Sequence, residues 1–316
     1  MKINYLILAH KNLDQLKRLI TRLSIDNPSD FSIYIHIDKK WELSRTDIDS
    51  ITNIHKNISV IPSRISCKLD EWSLIDATLK LIKFSLIKDS SDAYNVLMSG
   101  QDYPIKSNSK FVEFCEDNYP KPLIDVTPWA QDNWINFKFR HSIIYKSLSQ
   151  IQFNNRGLNF ALRIVKGGID CLIPKQYTMR FKLGNIGLKL YGGSAWWVLP
   201  TQVLKEIIKE CEVNSRLIQL YQKTLTPEET FFQTMTMRTS LASLVEVNPP
   251  EQISQNCPTF AYFNPRGKKF TGHPYIITSE IWPEIQSYNN FFARKFDMSI
   301  DSKIFDTIDN HIQRDL

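Results

Sequence analysis

At 316 residues with 42% hydrophobic content, the chain has an ordinary globular composition and enough apolar side chains for the core of one or two domains. No apolar run approaches the ~20 residues that cross a bilayer, and "MKINYLILAH" has one Lys, a short apolar run and no small-residue cleavage site, so it reads as a strand of a cytoplasmic protein. The net charge of +6 is modest, and five scattered cysteines without a C-x-x-C pair argue against a disulfide framework or a structural zinc site.

In chain order, the first 105 residues alternate as a parallel α/β unit. "INYLILAH" reads as a strand. "NLDQLKRLITRLS" places Leu13, Leu16, Leu19, Ile20 and Leu23 at helical spacing after an Asn12 cap. "FSIYIHID" and "NISVIPS" are further strands, "SLIDATLKLIKFSLIK" a long helix, and "AYNVLMS" a strand ending in the turn "GQDYPI". From about 106 to 190 the pattern loosens into short helices and loops. Between Lys138 and Lys189 ten Lys or Arg face a single acidic residue, Asp170, which suits a phosphate-bearing acceptor, a membrane surface or nucleic acid, or else a solvated face. "YGGSAWWVLP" then reads as a strand after a Gly-Gly turn, followed by the helices "TQVLKEIIKECEV" and "TPEETFFQTM", a Pro- and Gly-rich basic loop, "FFARKFD" and a short terminal helix.

Strand, helix, strand, repeated, implies right-handed crossovers and a mostly parallel central sheet with helices on both faces. Ligands of such sheets bind off the carboxyl ends of the strands. Those ends carry His10, then His36 and Asp38, then Ser99, Gln101 and Asp102. Neither G-x-G-x-x-G after the first strand nor a P-loop occurs. Asp47-Ile48-Asp49 reads as a solvated helix start, and His36-x-Asp38 lacks a third metal ligand nearby.

"TPEETFFQTM" has two readings. Thr226, Pro227 and Glu229 fit a capping box, in which Glu229 reaches back to the Thr226 N–H and stabilises the helix start by ~1 kcal/mol. Alternatively, Glu229 does chemistry.

Taken together and in this order, "YIHIDKK", "LMSGQDYPI", "YGGSAWWVLP", "TPEETFFQTM" and "FFARKFD" resemble glycosyltransferase family 14, the Core-2/I-branching N-acetylglucosaminyltransferases and peptide O-xylosyltransferases, over about residues 3 to 297. The resemblance implies a single GT-A type catalytic domain over 1–316, of the α/β class. Within it, 1–105 is a nucleotide-binding half, 106–190 an acceptor-side or membrane-facing segment, and 191–316 a catalytic half. It also implies inverting, metal-independent transfer of a sugar from a UDP-sugar to a hydroxyl, with no cofactor. By motif, Glu229 matches the family's catalytic base, Asp38 the uridine contact and Lys295 the Lys that meets the diphosphate, with Arg294 beside it. A second diphosphate-binding Arg of the family falls in register on Thr271 to His273, where no Arg stands; Arg266, Lys268 and Lys269 lie just upstream as substitutes. Ser194, Trp196 and Trp197 occupy the family's Gly-Ser-aromatic position near the sugars, with one Trp facing the core and the other the site. His10, Gln101 and Asp102 are placed near the donor.

The expected partners are a UDP-sugar and a glycan or lipid-linked glycan acceptor, with peripheral contact to an anionic membrane through 138–189 and no nucleic acid. N-acetylglucosamine and xylose are the expected sugars, and surface polysaccharide synthesis the setting. The animal relatives' anchor and disulfides are missing here, which points to a bacterial-type member. The competing reading is a carbohydrate-binding protein of the same fold with a decayed site.

Overall fold

The computed structural model describes residues 1–128, 189–222, 224, 226–248, 256–263 and 273–314, with isolated positions between 157 and 165. The basic stretch before Lys189, apart from those positions, and Arg266, Lys268 and Lys269 lie outside the described residues.

The chain opens with β1 (Lys2–Ala9), α1 (Leu13–Ser24), β2 (Asp30–Ile37), α2 (Arg45–Thr52), β3 (Ile58–Val60), α3 (Trp72–Lys88) and β4 (Tyr94–Ser99). There follow β5 (Asp102–Pro104), α4 (Asn108–Asn118), β6 (Leu123–Ile124), β7 (Thr127–Pro128), β8 (Tyr191–Gly192), β9 (Trp197–Pro200), α5 (Thr201–Val213) and α6 (Ser215–Gln222). A 3₁₀ turn at Pro227–Glu229 leads into α7 (Phe231–Thr236), and the chain closes with β10 (Thr259–Ala261), α8 (Trp282–Ile285), β11 (Phe292–Arg294) and α9 (Lys303–Arg314).

The main sheet runs β3-β2-β1-β4-β9-β6. β3, β2, β1 and β4 are parallel, whereas β9 runs antiparallel to both β4 and β6. The expected mostly parallel, doubly covered sheet is therefore present. Its strands are apolar on both sides because each faces a core. Ile3, Tyr5 and Ile7 of β1 join a core with Leu16, Leu19 and Ile20 of α1, Phe111 of α4 and Phe305 and Ile308 of α9. Leu6 and Leu8, pointing the other way, join Leu79 and Ile82 of α3, Leu204 of α5 and Phe231 and Phe232 of α7. Each fully buried side chain of this size stabilises by about 1.5–3 kcal/mol, so the period-two alternation fixes the register of the sheet.

A second sheet, β10-β11-β5, sits beyond the carboxyl end of β4. Here the structure departs from the expected turn in "GQDYPI". Only Gly100 and Gln101 turn, and Asp102–Pro104 form β5, antiparallel to β11 with Asp102 opposite Arg294. α9 braces this sheet through Asp309, which accepts from Tyr103 Oη at 2.9 Å and from Arg18 of α1 at 2.7 Å. The main sheet also draws on all three stretches of chain, since β6 falls in 106–190 and β9 in 191–316.

Two further expectations are revised. "YGGSAWWVLP" is two short strands, β8 and β9, separated by Gly193–Trp196. "TPEETFFQTM" is not one capped helix. Thr226 has left-handed backbone (φ 52°), makes no side-chain cap, and its N–H donates to the Asp70 backbone carbonyl at 3.0 Å. Among the described residues a capping box lies at Ser44, whose Oγ accepts from the Asp47 N–H at 3.1 Å while Asp47 accepts from the Ser44 N–H at 2.9 Å. That confirms Asp47-Ile48-Asp49 as a helix start.

Candidate active site

Parallel strands bring Ala9, Ile37 and Ser99 to one edge of the main sheet, so the residues that follow them gather there. Asp38, just past β2, is buried. Its Oδ1 accepts from Lys40 N at 2.8 Å and its Oδ2 from Cys67 N at 3.1 Å. The loop after β3 is thereby latched to the strand end. Arg64 reinforces the latch, donating from Nε to Ile37 O at 3.1 Å and from a terminal nitrogen to Asp38 O at 2.7 Å. His36 is 1% exposed, and its Nε2 accepts from Ile65 N at 2.9 Å. Burial pushes its pKa down to about 4, so the ring is neutral at pH 7. His36 and Asp38 each bind backbone of the same loop. Among the described residues no three His, Cys, Asp or Glu side chains form a metal-holding group.

The same loop reaches the "PEE" segment, because Asp70 O is the acceptor for Thr226 N. Glu229, half-buried, closes the 3₁₀ turn, and its carbonyl accepts from Gly193 N at 2.9 Å. Gly193 is crowded on its other side too. A Cβ there would lie 1.9 Å from Asp125 O, so no larger residue fits this backbone. Ser194 follows, with its carbonyl held by Gln233 Nε2 of α7 and its Oγ accepting from Trp196 N at 3.3 Å.

Trp196 and Trp197 part here, Trp196 in the connection before β9 and Trp197 at the start of that strand. Trp197 is 1% exposed and packs on Phe232, with ring centroids 5.1 Å apart, which makes it a core residue. Trp196 is the partly exposed one, and the Arg294 guanidinium lies over its ring at 4.0 Å. Arg294 also faces Asp102, with Nε to Oδ1 at 3.6 Å, while Asp102 Oδ2 accepts from Ser99 N at 2.8 Å. Burial pushes the Asp102 carboxyl up to about 6, against the pull of Arg294. Gln101 locks the turn, its Nε2 donating to Phe296 O at 3.3 Å and its carbonyl accepting from Phe296 N at 2.9 Å.

Lys295 follows Arg294, and its pKa is lowered by burial and by the charges of Arg294 and Lys11. His10 is open to solvent, yet its pKa is also lowered, first by the atoms packed around the ring and then by Lys11 and Lys295; Asp38 acts in the opposite sense. His10 therefore lies within electrostatic range of both Asp38 and the cations. Lys11, paired with Asp297 at 2.5 Å, was not a candidate from sequence, although its place next to His10 at a strand end was a readable sign. Arg64 had no such sign, since only folding sets it against three carbonyls.

A chain of contacts runs from Asp38 through the 64–70 loop to Thr226, from the Glu229 carbonyl to Gly193, and through Trp196 to Arg294 and Asp102. Trp197 is turned away. The model of the Core-2/I-Branching enzymes matches residues 3–260. The chain belongs to that family. Xylosyltransferase 2 of Mus musculus and of Homo sapiens are each 24% identical to it over 99% of this chain, and a xylosyltransferase of Ciona intestinalis is 22% identical over 98%. In each case the match takes up 34% of the relative, so the chain spans about a third of the length of these curated relatives. An apo structure of the bifunctional glycosyltransferase WbbM aligns over 91% of this chain and 45% of its own, with 9% identity and a TM-score of 0.37.

Proposed function

We propose that this chain is an inverting glycosyltransferase of GT-A type that moves xylose or N-acetylglucosamine from a UDP-sugar to a hydroxyl of a glycan acceptor. The observation that carries the reading is the juxtaposition of an acid and cations. The Gly193–Trp196 segment bonds to the Glu229 carbonyl at one end and stacks against Arg294 at the other. In this reading the base and the leaving-group clamp stand at the two ends of one short span, Glu229 held to it through its backbone carbonyl. The relatives' name favours xylose as the sugar.

In this reading the acceptor oxygen attacks the anomeric carbon from the face opposite the diphosphate, and its proton passes to Glu229 as the new C–O bond forms. The bond from the anomeric carbon to the phosphate oxygen breaks with its electron pair leaving on UDP, whose charge Lys295 and Arg294 stabilise without a metal or other cofactor. Asp38, already accepting from two backbone amides, keeps lone pairs for the uridine. His10 and Gln101 line the path between, and Trp196 and Ser194 face the sugars. Arg266, Lys268 and Lys269 supply the second diphosphate cation. The enzyme works in surface polysaccharide synthesis at the cytoplasmic face of the membrane, the basic 138–189 stretch meeting a lipid-linked acceptor.

UDP release from a panel of UDP-sugars, with and without EDTA, tests the reaction. Expected is turnover with one donor that survives EDTA and falls by about 10²- to 10⁴-fold in Glu229→Gln. Loss of activity in EDTA would overturn the metal-free mechanism. Full activity in the variant would overturn the base, and no release from any donor would leave a sugar-binding protein.

A further inference from the structure

Asp102 and Arg294 are directly opposed across the β5–β11 pair, Asp102 buried and Arg294 half-buried. Asp102 is fully enclosed, yet its Oδ1 has no hydrogen-bond partner among the described residues; the same holds for Arg294 Nε, 3.6 Å away. That separation is a charge contact, longer than a hydrogen bond. The other carboxylate oxygen is spoken for by the Ser99 N–H at 2.8 Å, so the Asp102 side chain is anchored to the end of β4. On its flat side the guanidinium lies 4.0 Å over Trp196. Two of its faces are thus defined by protein, while 12% of the side chain remains exposed.

A buried carboxylate beside an anion-binding cation carries an electrostatic penalty, because it repels the anion that the cation attracts. If Asp102 acted by charge alone, its removal would strengthen anion binding. The geometry offers a different use. We propose that Asp102 is a positioning residue that, with Trp196, fixes the plane and direction of the Arg294 guanidinium so that its exposed edge meets the diphosphate of the donor. This rests on the UDP-sugar reading above. It concerns a cation planar enough to be fixed in this way, which a flexible ammonium is not.

Calorimetric binding of UDP to the full chain in EDTA decides the sign. Asp102→Asn, similar in shape and uncharged, weakens UDP by about tenfold, as a small misplacement of a binding group does. Arg294→Ala weakens it at least as much, and the double variant is no weaker than Arg294→Ala alone, because Asp102 acts only through Arg294. Unchanged or tighter binding by Asp102→Asn overturns the proposal, as do losses that add in the double variant. Should Asp102→Asn fail the thermal-unfolding check, Arg294→Lys decides. It keeps the charge without the planar face, so it loses the same tenfold, and wild-type affinity in it overturns the proposal. Failure of the wild-type protein to bind UDP would instead bring down the donor reading, and this assignment with it.

Discussion

His36 shows how a single side chain ties the site to pH. Its Nε2 accepts the Ile65 N–H at 2.9 Å from a fully enclosed position, so the folded protein holds it neutral. With a folded pKa near 4 against 6.5 for a free His, the unfolded chain takes up a proton first as pH falls. The stabilisation is therefore complete above pH 6.5 and is lost as pH drops through 4, by about 3 kcal/mol in total. Asp102, raised to about 6, works in the opposite sense, since acid relieves the cost of its buried charge. The comparison with His36→Gln, which keeps an acceptor and cannot titrate, isolates the His term. Denaturant unfolding of both proteins at pH 7 and pH 4.5 should show the wild type losing more stability than the variant, and parallel losses would contradict the assignment.

At the scale of elements, the Gly193–Trp196 segment owes its place to close backbone approach. Gly193 lies between the Asp125 carbonyl and the Glu229 carbonyl to which it donates, and an added Cβ would sit 1.9 Å from Asp125 O. Neither neighbour is a flexible side-chain end, so Gly193→Ala must push β7 and β8 apart or break the bond to Glu229. The expected cost is about 2–3 kcal/mol by thermal or chemical unfolding, with a fall in turnover larger than the stability loss explains at temperatures where the variant is folded. Wild-type stability in Gly193→Ala would mean that the span relaxes freely. The left-handed backbone of Thr226 belongs to the same arrangement. By giving its N–H to Asp70 it ties the base segment to the loop that carries Cys67 and Arg64 onto Asp38.

The whole molecule joins residues from the two ends of the chain through shared sheets, with β5 pairing to β11 and β4 to β9. The Arg18, Asp309 and Tyr103 contacts then brace α1, α9 and β5 as a unit behind Asp102. Charge is distributed on the same scale, since the ten cations between 138 and 189 leave the rest of the chain net acidic. If that stretch meets a lipid-linked acceptor, the protein should pellet with anionic vesicles at low salt and be released as salt screens the attraction. Neutralising Arg163, Lys166 and Lys182 together should abolish pelleting. Binding equal in the triple variant would place the membrane contact elsewhere.

Period-two and helical spacing in the sequence determined the parallel sheet, its covering helices and the strand-end positions of His10, Asp38 and Asp102, because burial on two faces leaves few other solutions. Motif order gave the family, and with it Glu229, Arg294 and Lys295 as candidates. Local pattern could not decide between cap and base for Glu229, since a capping box depends on the backbone angles of Thr226, and those are set by its bond to Asp70 more than 150 residues away in sequence. Nor could it say which Trp is buried, or that "GQDYPI" holds a strand, because both depend on partners distant in the chain: Phe232 and Arg294 for the tryptophans, β11 for β5. Long-range pairing, which sequence spacing does not encode, joined the Glu229 carbonyl and the Arg294 guanidinium through the Gly193–Trp196 span.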